Sequence, residues 1–188
     1  MSDFSLRTKS DVRRELVAAR RARAVQVAAE ADVAICEHAA FLAKHVDTVA
    51  AYVPLPNEPG GASLPGYLQG ACSRLLLPVV RPDLDLDWAV YQDSLTPGPF
   101  GLREPPGPRL GPAGITSAEL VLVPALAVDR RGVRLGRGGG SYDRALSRVT
   151  TGRIVALIYD DELVTGLPAE PHDVRVHAVL TPSGITEV

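Results

Sequence analysis

The sequence predicts an α/β fold: a single three-layer domain over residues 1–188, with a mainly parallel central sheet flanked by helices in the Rossmann-like manner. Three observations predict it. Several short runs, such as Arg74–Val80 (RLLLPVV) and Arg153–Tyr159 (RIVALIY), are continuously apolar rather than alternating, as strands covered on both faces must be. Helix-patterned segments are interleaved with these runs, which favours parallel strands joined by crossovers. A glycine-rich stretch lies between the strongest apolar run and a helical segment, an order that suits anion capture at a helix start.

In chain order, Asp11 to about His45 reads as helix. Ser10 or Asp11 is the expected cap, and Val12, Leu16 and Ala19 recur at helical spacing. Arg13, Arg14, Arg20, Arg21 and Arg23 fill much of the remaining surface, and a break before Gln26 would divide the segment. Thr48–Val53 is a short strand closed by Pro54, and Pro56–Gly61 is rich in turn residues. Ser63–Ala71 reads as a short helix, Arg74–Val80 and Asp87–Tyr91 as strands. Thr96–Gly114 carries many Pro and Gly residues and is a long loop, ordered or mobile. Glu119–Ala127 is a strongly apolar strand, Ser141–Arg148 a helix, Arg153–Tyr159 a strand and Val174–Leu180 the last strand. There is no internal repeat and no dividing linker.

Composition narrows the function classes. A net charge of -2 argues against a strongly basic nucleic-acid binder. Cys36 and Cys72 are too few for a disulfide framework and lack metal-ligand spacing, so reduced thiols in a cytoplasmic protein are expected. The N-terminus has no signal-type apolar core. The longest apolar runs, such as Val121–Val128, are too short to span a bilayer. No membrane or nucleic-acid partner is expected, and the chain is expected to act as a monomer.

The chemistry concentrates in Val121–Leu146. A hydrophobic strand enters a turn at Asp129–Gly132, followed by Arg134, Leu135, Gly136, Arg137, Gly138, Gly139 and Gly140. Successive N–H groups in such a loop form a concave anion site, and the next helix aims its N-terminus at the same place. Arg134 and Arg137 add full positive charge in a geometry that matches phosphate. The loop lacks both the Walker lysine and the dinucleotide spacing. Taken alone, it also fits a flexible glycine loop with solvated arginines. The flanking strand and helix, with Asp143 just beyond, favour phosphate binding.

The stretch LVPALAVDRRGVRLGRGGGSYDRAL resembles the signature of the 5-formyltetrahydrofolate cyclo-ligases, also called methenyltetrahydrofolate synthetases. Lys9–Arg13 resembles the family's N-terminal element, Tyr52–Glu58 its substrate strand and loop, Phe100–Pro105 its FGI.EP segment, and Leu167–Asp173 its closing LP.E..HD. These segments span nearly the whole chain in the family's order. The resemblance implies an ATP- and Mg²⁺-dependent ligase that closes 5-formyltetrahydrofolate to 5,10-methenyltetrahydrofolate. It implies that Lys9 and Arg13 approach the ATP phosphates, and that Arg134, Leu135, Gly136, Arg137, Gly138, Gly139, Gly140, Ser141 and Tyr142 form the nucleotide loop. Arg137 and Lys9 are then the catalytic candidates. Val53 and Glu58, with Arg137, would contact the folate, and Asp143 and Asp173 would hold Mg²⁺.

Individually these residues have plainer readings. Lys9 and Arg13 suit a solvated helix face, Glu58 a loop carboxylate, Asp143 a helix start and Asp173 a turn. Their joint order beside the glycine loop outweighs those readings. His172 is left without a role, and Trp88, Tyr91 and Phe100 are expected in the core rather than on a pterin. The sequence departs from the family pattern at Val128, Ser141 and His177, and in Pro59-Gly60-Gly61 after Glu58. Two other readings are a related α/β ATP-dependent enzyme with another acceptor, and a catalytically silent module that contacts RNA through its N-terminal arginines.

Overall fold

The computed structural model describes residues 2–188. Helix α1 (Lys9–Ala22) is capped by Thr8, whose Oγ1 accepts the Asp11 N–H at 3.1 Å. Ser10 and Asp11, the caps expected from sequence, lie inside the first turn instead. There the Asp11 carboxylate accepts the Thr8 hydroxyl and sits at the positive end of the helix dipole. The buried stripe of α1 is Val12, Leu16 and Arg20. Ala19, expected on that stripe, is exposed, because the Arg20 guanidinium finds a buried partner in Glu162. Arg23 and Ala24 are extended and separate α1 from α2 (Val25–Ala43).

Strand β1 (Thr48–Ala50) ends sooner than the apolar run TVAAYV, and Tyr52 and Val53 diverge from the sheet. Helix α3 (Leu64–Gln69) leads to β2 (Arg74–Val80), which turns back as β3 (Leu86–Val90). The Pro/Gly-rich region is ordered as a small ribbon, β4 (Thr96–Pro97) with β5 (Arg103–Glu104). The buried Glu104 carboxylate ties it to the sheet by accepting the Val80 N–H at 2.8 Å.

The run expected as one strand over Glu119–Ala127 is two. Strand β6 (Leu120–Pro124) lies in the main sheet, and β7 (Ala127–Asp129) lies in a second one. Pro124 has no N–H to extend the ladder, and the Leu126 N–H bonds Leu135 instead. Strand β8 (Arg134–Leu135), helix α4 (Ser141–Leu146), β9 (Arg153–Leu157) and β10 (Leu163–Val164) follow. The last expected strand begins later, as β11 (Ala178–Thr181), because Val176 bonds the Gly132 carbonyl instead of a strand. A final strand, β12 (Gly184–Glu187), pairs antiparallel to β11.

The main sheet has seven strands in the order β12-β11-β9-β6-β1-β2-β3. The pairs from β11 through β2 are parallel, and each edge strand is antiparallel. Residues alternate faces along each strand. Leu120 and Leu122 therefore pack under α2 and α3 with Ile35 and Leu68. Val121 and Val123 face Ile115, Ala145 and Leu146 on the other side. Burying each such aliphatic side chain contributes about 1.5–3 kcal/mol. A third cluster packs α1, through Val12 and Leu16, on the small β10-β7-β8 sheet. This is the expected α/β architecture, with a mostly parallel sheet between helical layers. No described helix is long and apolar enough to cross a membrane.

Candidate active site

From β1 the chain proceeds outward through β2 and β3, while β6, β9 and β11 extend the sheet the other way. Connections leaving the carboxyl ends of adjacent β1 and β6 therefore diverge, and ligands of open α/β sheets bind in the crevice so formed. Here the crevice is a cleft of about 670 Å³. Tyr52, Val53 and Glu58 enter it after β1, and Pro124 and Ala125 after β6.

The glycine loop is held at both ends. On one side Arg134 and Leu135 pair with β7; on the other, Ser141 begins α4. Gly138 and Gly140 have φ of 103° and 69°, values that a side-chain-bearing residue adopts at a cost. Gly138 also lies under α1, where an added Cβ would stand 3.3 Å from the Arg13 guanidinium carbon. Arg13 Nε donates to the Gly136 carbonyl at 2.9 Å. Helix α1 and the loop thus form one wall.

Four ion pairs organise the charges. Lys9 Nζ donates to both Asp173 oxygens at 2.9 and 2.8 Å, and to Glu170 at 3.0 Å. Burial by itself lowers the Lys9 pKa, but hydrogen bonds to Asp173 and Glu170 outweigh it and the net shift is upward. Burial raises the Asp173 pKa, and the Lys9 and Glu170 N–H hydrogen bonds reverse that to a net lowering. Arg134 Nη2 donates to Asp143 at 2.8 Å. Arg137 Nε donates to Glu58 at 2.7 Å and so spans from the glycine loop to the loop after β1. The second Glu58 oxygen accepts the Leu55 N–H at 2.9 Å. Burial raises the Tyr142 phenol well above its ordinary value, so it stays neutral.

Every residue singled out from sequence lines this cleft: Lys9, Arg13, Val53, Glu58, Arg134, Leu135, Gly136 to Gly140, Ser141, Tyr142, Asp143 and Asp173. Arg134 is not an open anion hook. Its side chain is buried, its Nη2 is held by Asp143, and its Nε has no partner. Glu170, His172 and Asp173 have donor atoms within 4.8 Å of one another, a set that excludes Asp143. Phe100 departs from the expectation. Trp88 is fully buried in the core, whereas Phe100 is 76% exposed, has φ of 58° and stands on the cleft wall. Arg20 and Glu170 also line the cleft. Arg20 could not be picked out from sequence, being one arginine among several, whereas Glu170 stands in the matched LP.E..HD element but is given no role there by the resemblance.

The sequence profile of the 5-formyltetrahydrofolate cyclo-ligase family matches residues 5–182. The chain belongs to this family. It is 50% identical over 142 residues to the 5-formyltetrahydrofolate cyclo-ligase of Mycolicibacterium smegmatis, covering 72% of this chain and 73% of that one. It is 32% identical to the cyclo-ligase of Escherichia coli K12, covering 74% and 80%. The structure of Aquifex aeolicus 5,10-methenyltetrahydrofolate synthetase superposes with a TM-score of 0.80 at 26% identity, over 95% of this chain and 92% of that one. The Mycoplasma pneumoniae synthetase, 23% identical, shares the fold with a TM-score of 0.74. The ligase class and the cyclo-ligase reaction expected from sequence are those of the family.

Proposed function

We propose that the cleft binds ATP, Mg²⁺ and 5-formyltetrahydrofolate together and performs the cyclo-ligase reaction through phosphorylation of the formyl oxygen. The observation that carries this reading is convergence. Lys9, Arg13, Arg134 and Arg137, with Asp143, Asp173 and Glu58, all reach one cleft at the sheet's switch point. The site's donor set fits the expected ligands. A Cβ at Gly139 would meet only the Ser141 hydroxyl, at 3.6 Å, so the loop is open there; the buried Arg134 Nε lacks a partner, and Asp143 and Asp173 offer the hard oxygens that Mg²⁺ prefers.

In this reading Lys9, Arg13 and Arg137 bind the ATP phosphates, with the loop N–H groups beneath them. Glu58 and Val53 hold the folate beside Arg137. The apolar wall around Val80, Leu86 and Phe100 suits a flat ring. The γ-phosphoryl group passes from ATP to the formyl oxygen and leaves ADP. N10 then attacks the activated carbon, and the C–O bond breaks to release phosphate as the ring closes. Phosphorylation turns a poor leaving group into a good one. Bound Mg²⁺ supplies charge neutralisation at the phosphoryl oxygens. Arg137 and Lys9 stabilise charge that grows on the same oxygens, and the remaining residues position the two substrates.

The test is absorbance at the methenyl-folate band with purified protein, 5-formyltetrahydrofolate, ATP and Mg²⁺. A rise that requires all three is expected. No rise, with ATP still bound, would overturn the assignment of the acceptor.

A further inference from the structure

The loop after β1 departs from the family pattern at Pro59-Gly60-Gly61, and the structure shows what holds it. Its backbone is fastened from below by three side chains. The Tyr52 hydroxyl donates to the Pro59 carbonyl at 2.7 Å. The Cys36 thiol donates to the Gly60 carbonyl at 3.1 Å. The Gly60 N–H donates to Asp32 Oδ1 at 3.0 Å. The same Asp32 oxygen accepts the Tyr159 hydroxyl at 3.1 Å, so one carboxylate of α2 joins the loop to the segment after β9.

Asp32 also explains the second glycine. A Cβ at Gly61 would stand 2.9 Å from Asp32 Oδ2, and Gly61 has φ of 52°. Side chain and loop fit closely, and the loop cannot shift toward α2. The other side of the same turn carries Glu58. Its N–H bonds the Leu55 carbonyl, and its carbonyl accepts the Gly61 N–H. Glu58 is therefore one residue from the first fastened group and two from the residue that Asp32 holds.

We propose that Asp32, which is outside the cleft lining, is a positioning residue: through Gly60 it fixes the turn that aims Glu58 at the folate, and so sets folate affinity. The inference rests on the reading of Glu58 as a folate contact. Asp32 touches neither substrate, and the phosphate loop has its own anchors in β8 and Arg13. Removal of Asp32 should act mainly on the folate, with at most a small effect on ATP through the Arg137–Glu58 pair.

The experiment measures kcat and KM for each substrate in Asp32→Ala, Asp32→Asn and Glu58→Ala, with folding checked by circular dichroism. Hydrogen bonds to a charged acceptor are strong enough for Asp32→Ala to raise the folate KM about tenfold. The ATP KM should stay within about twofold of wild type. Asp32→Asn keeps an Oδ1 acceptor for both donors and should restore the folate KM. If Asp32→Ala does not fold, Asp32→Ser, too short to reach Gly60, takes its place with the same expected split. A folate KM raised by Glu58→Ala but not by the Asp32 variants overturns the inference alone. So does an equal effect on both substrates, or failure of Asp32→Asn to rescue. A folate KM unchanged in Glu58→Ala overturns the folate assignment and the inference with it.

Discussion

Arg137→Ala separates function from stability more sharply than any other change in the cleft. Arg137 pairs with Glu58 at 2.7 Å, and the arginine side chain is 46% exposed. Glu58 itself is only 7% exposed; when Arg137 is removed its Oε1 loses its partner while Oε2 still accepts the Leu55 N–H, so the fold loses about 1–3 kcal/mol. For a chain of this size the melting temperature should fall by about 2–12 °C. The catalytic cost is larger. A lost donor to charge that develops in the transition state slows turnover about 10²–10³-fold, or about 3–4 kcal/mol. The assay is initial velocity at the methenyl-folate band under saturating ATP and folate, beside a thermal melt of the same preparation. A kcat within about threefold of wild type would refute the role given to Arg137. A turnover loss matched by an equal loss of stability would refute it too.

Three further outcomes are expected. Lys9→Met should destabilise the protein at neutral pH by about 1–2 kcal/mol, by removing the hydrogen-bonded partner of Asp173. Because the folded Asp173 pKa lies below its ordinary value of 3.8, that contribution is complete above 3.8 and disappears as pH falls through the lowered value; urea titrations at pH 6 and pH 3 should show the gap between variant and wild type closing in acid. Arg20→Met strands the buried Glu162 carboxylate and should cost about 3–5 kcal/mol, with most of it recovered in Arg20→Met/Glu162→Met, as denaturant midpoints would show. Phe100→Gly should be more stable than Phe100→Ala by about 1 kcal/mol, since φ of 58° penalises any Cβ, while both raise the folate KM.

The sheet was readable wherever local pattern decides. Arg74–Val80 is a strand to the residue, because its apolar run is bounded on both sides and buried on both faces. The glycine loop was readable because it and its flanking charges are contiguous in sequence, whereas Lys9, Arg13, Val53, Glu58 and Asp173 were placed only by the family resemblance. What escaped depends on distant partners. Arg20 looks like any surface arginine until Glu162, 142 residues away, is folded against it. The split between β6 and β7 depends on where Leu135 returns to offer its carbonyl. Phe100 stays out of the core because its ribbon is pinned through Glu104 and points the ring into the cleft. Strand β12 is a mostly exposed edge, so it carries no apolar alternation to announce it.

Helix α1 has few partners near it in sequence. Lys9 reaches Asp173, Arg13 reaches Gly136, and Arg20 reaches Ala125 and Glu162. On the ribosome this helix is made 105 residues or more before these groups that seat it. Contacts of such long sequence separation form late and slow the search for the native state. Until then Lys9, Arg13 and Arg20 wait without the partners they hold in the folded protein, and the cleft lacks one wall. Arrival of these later segments, rather than folding of an early one, is therefore what completes the cleft.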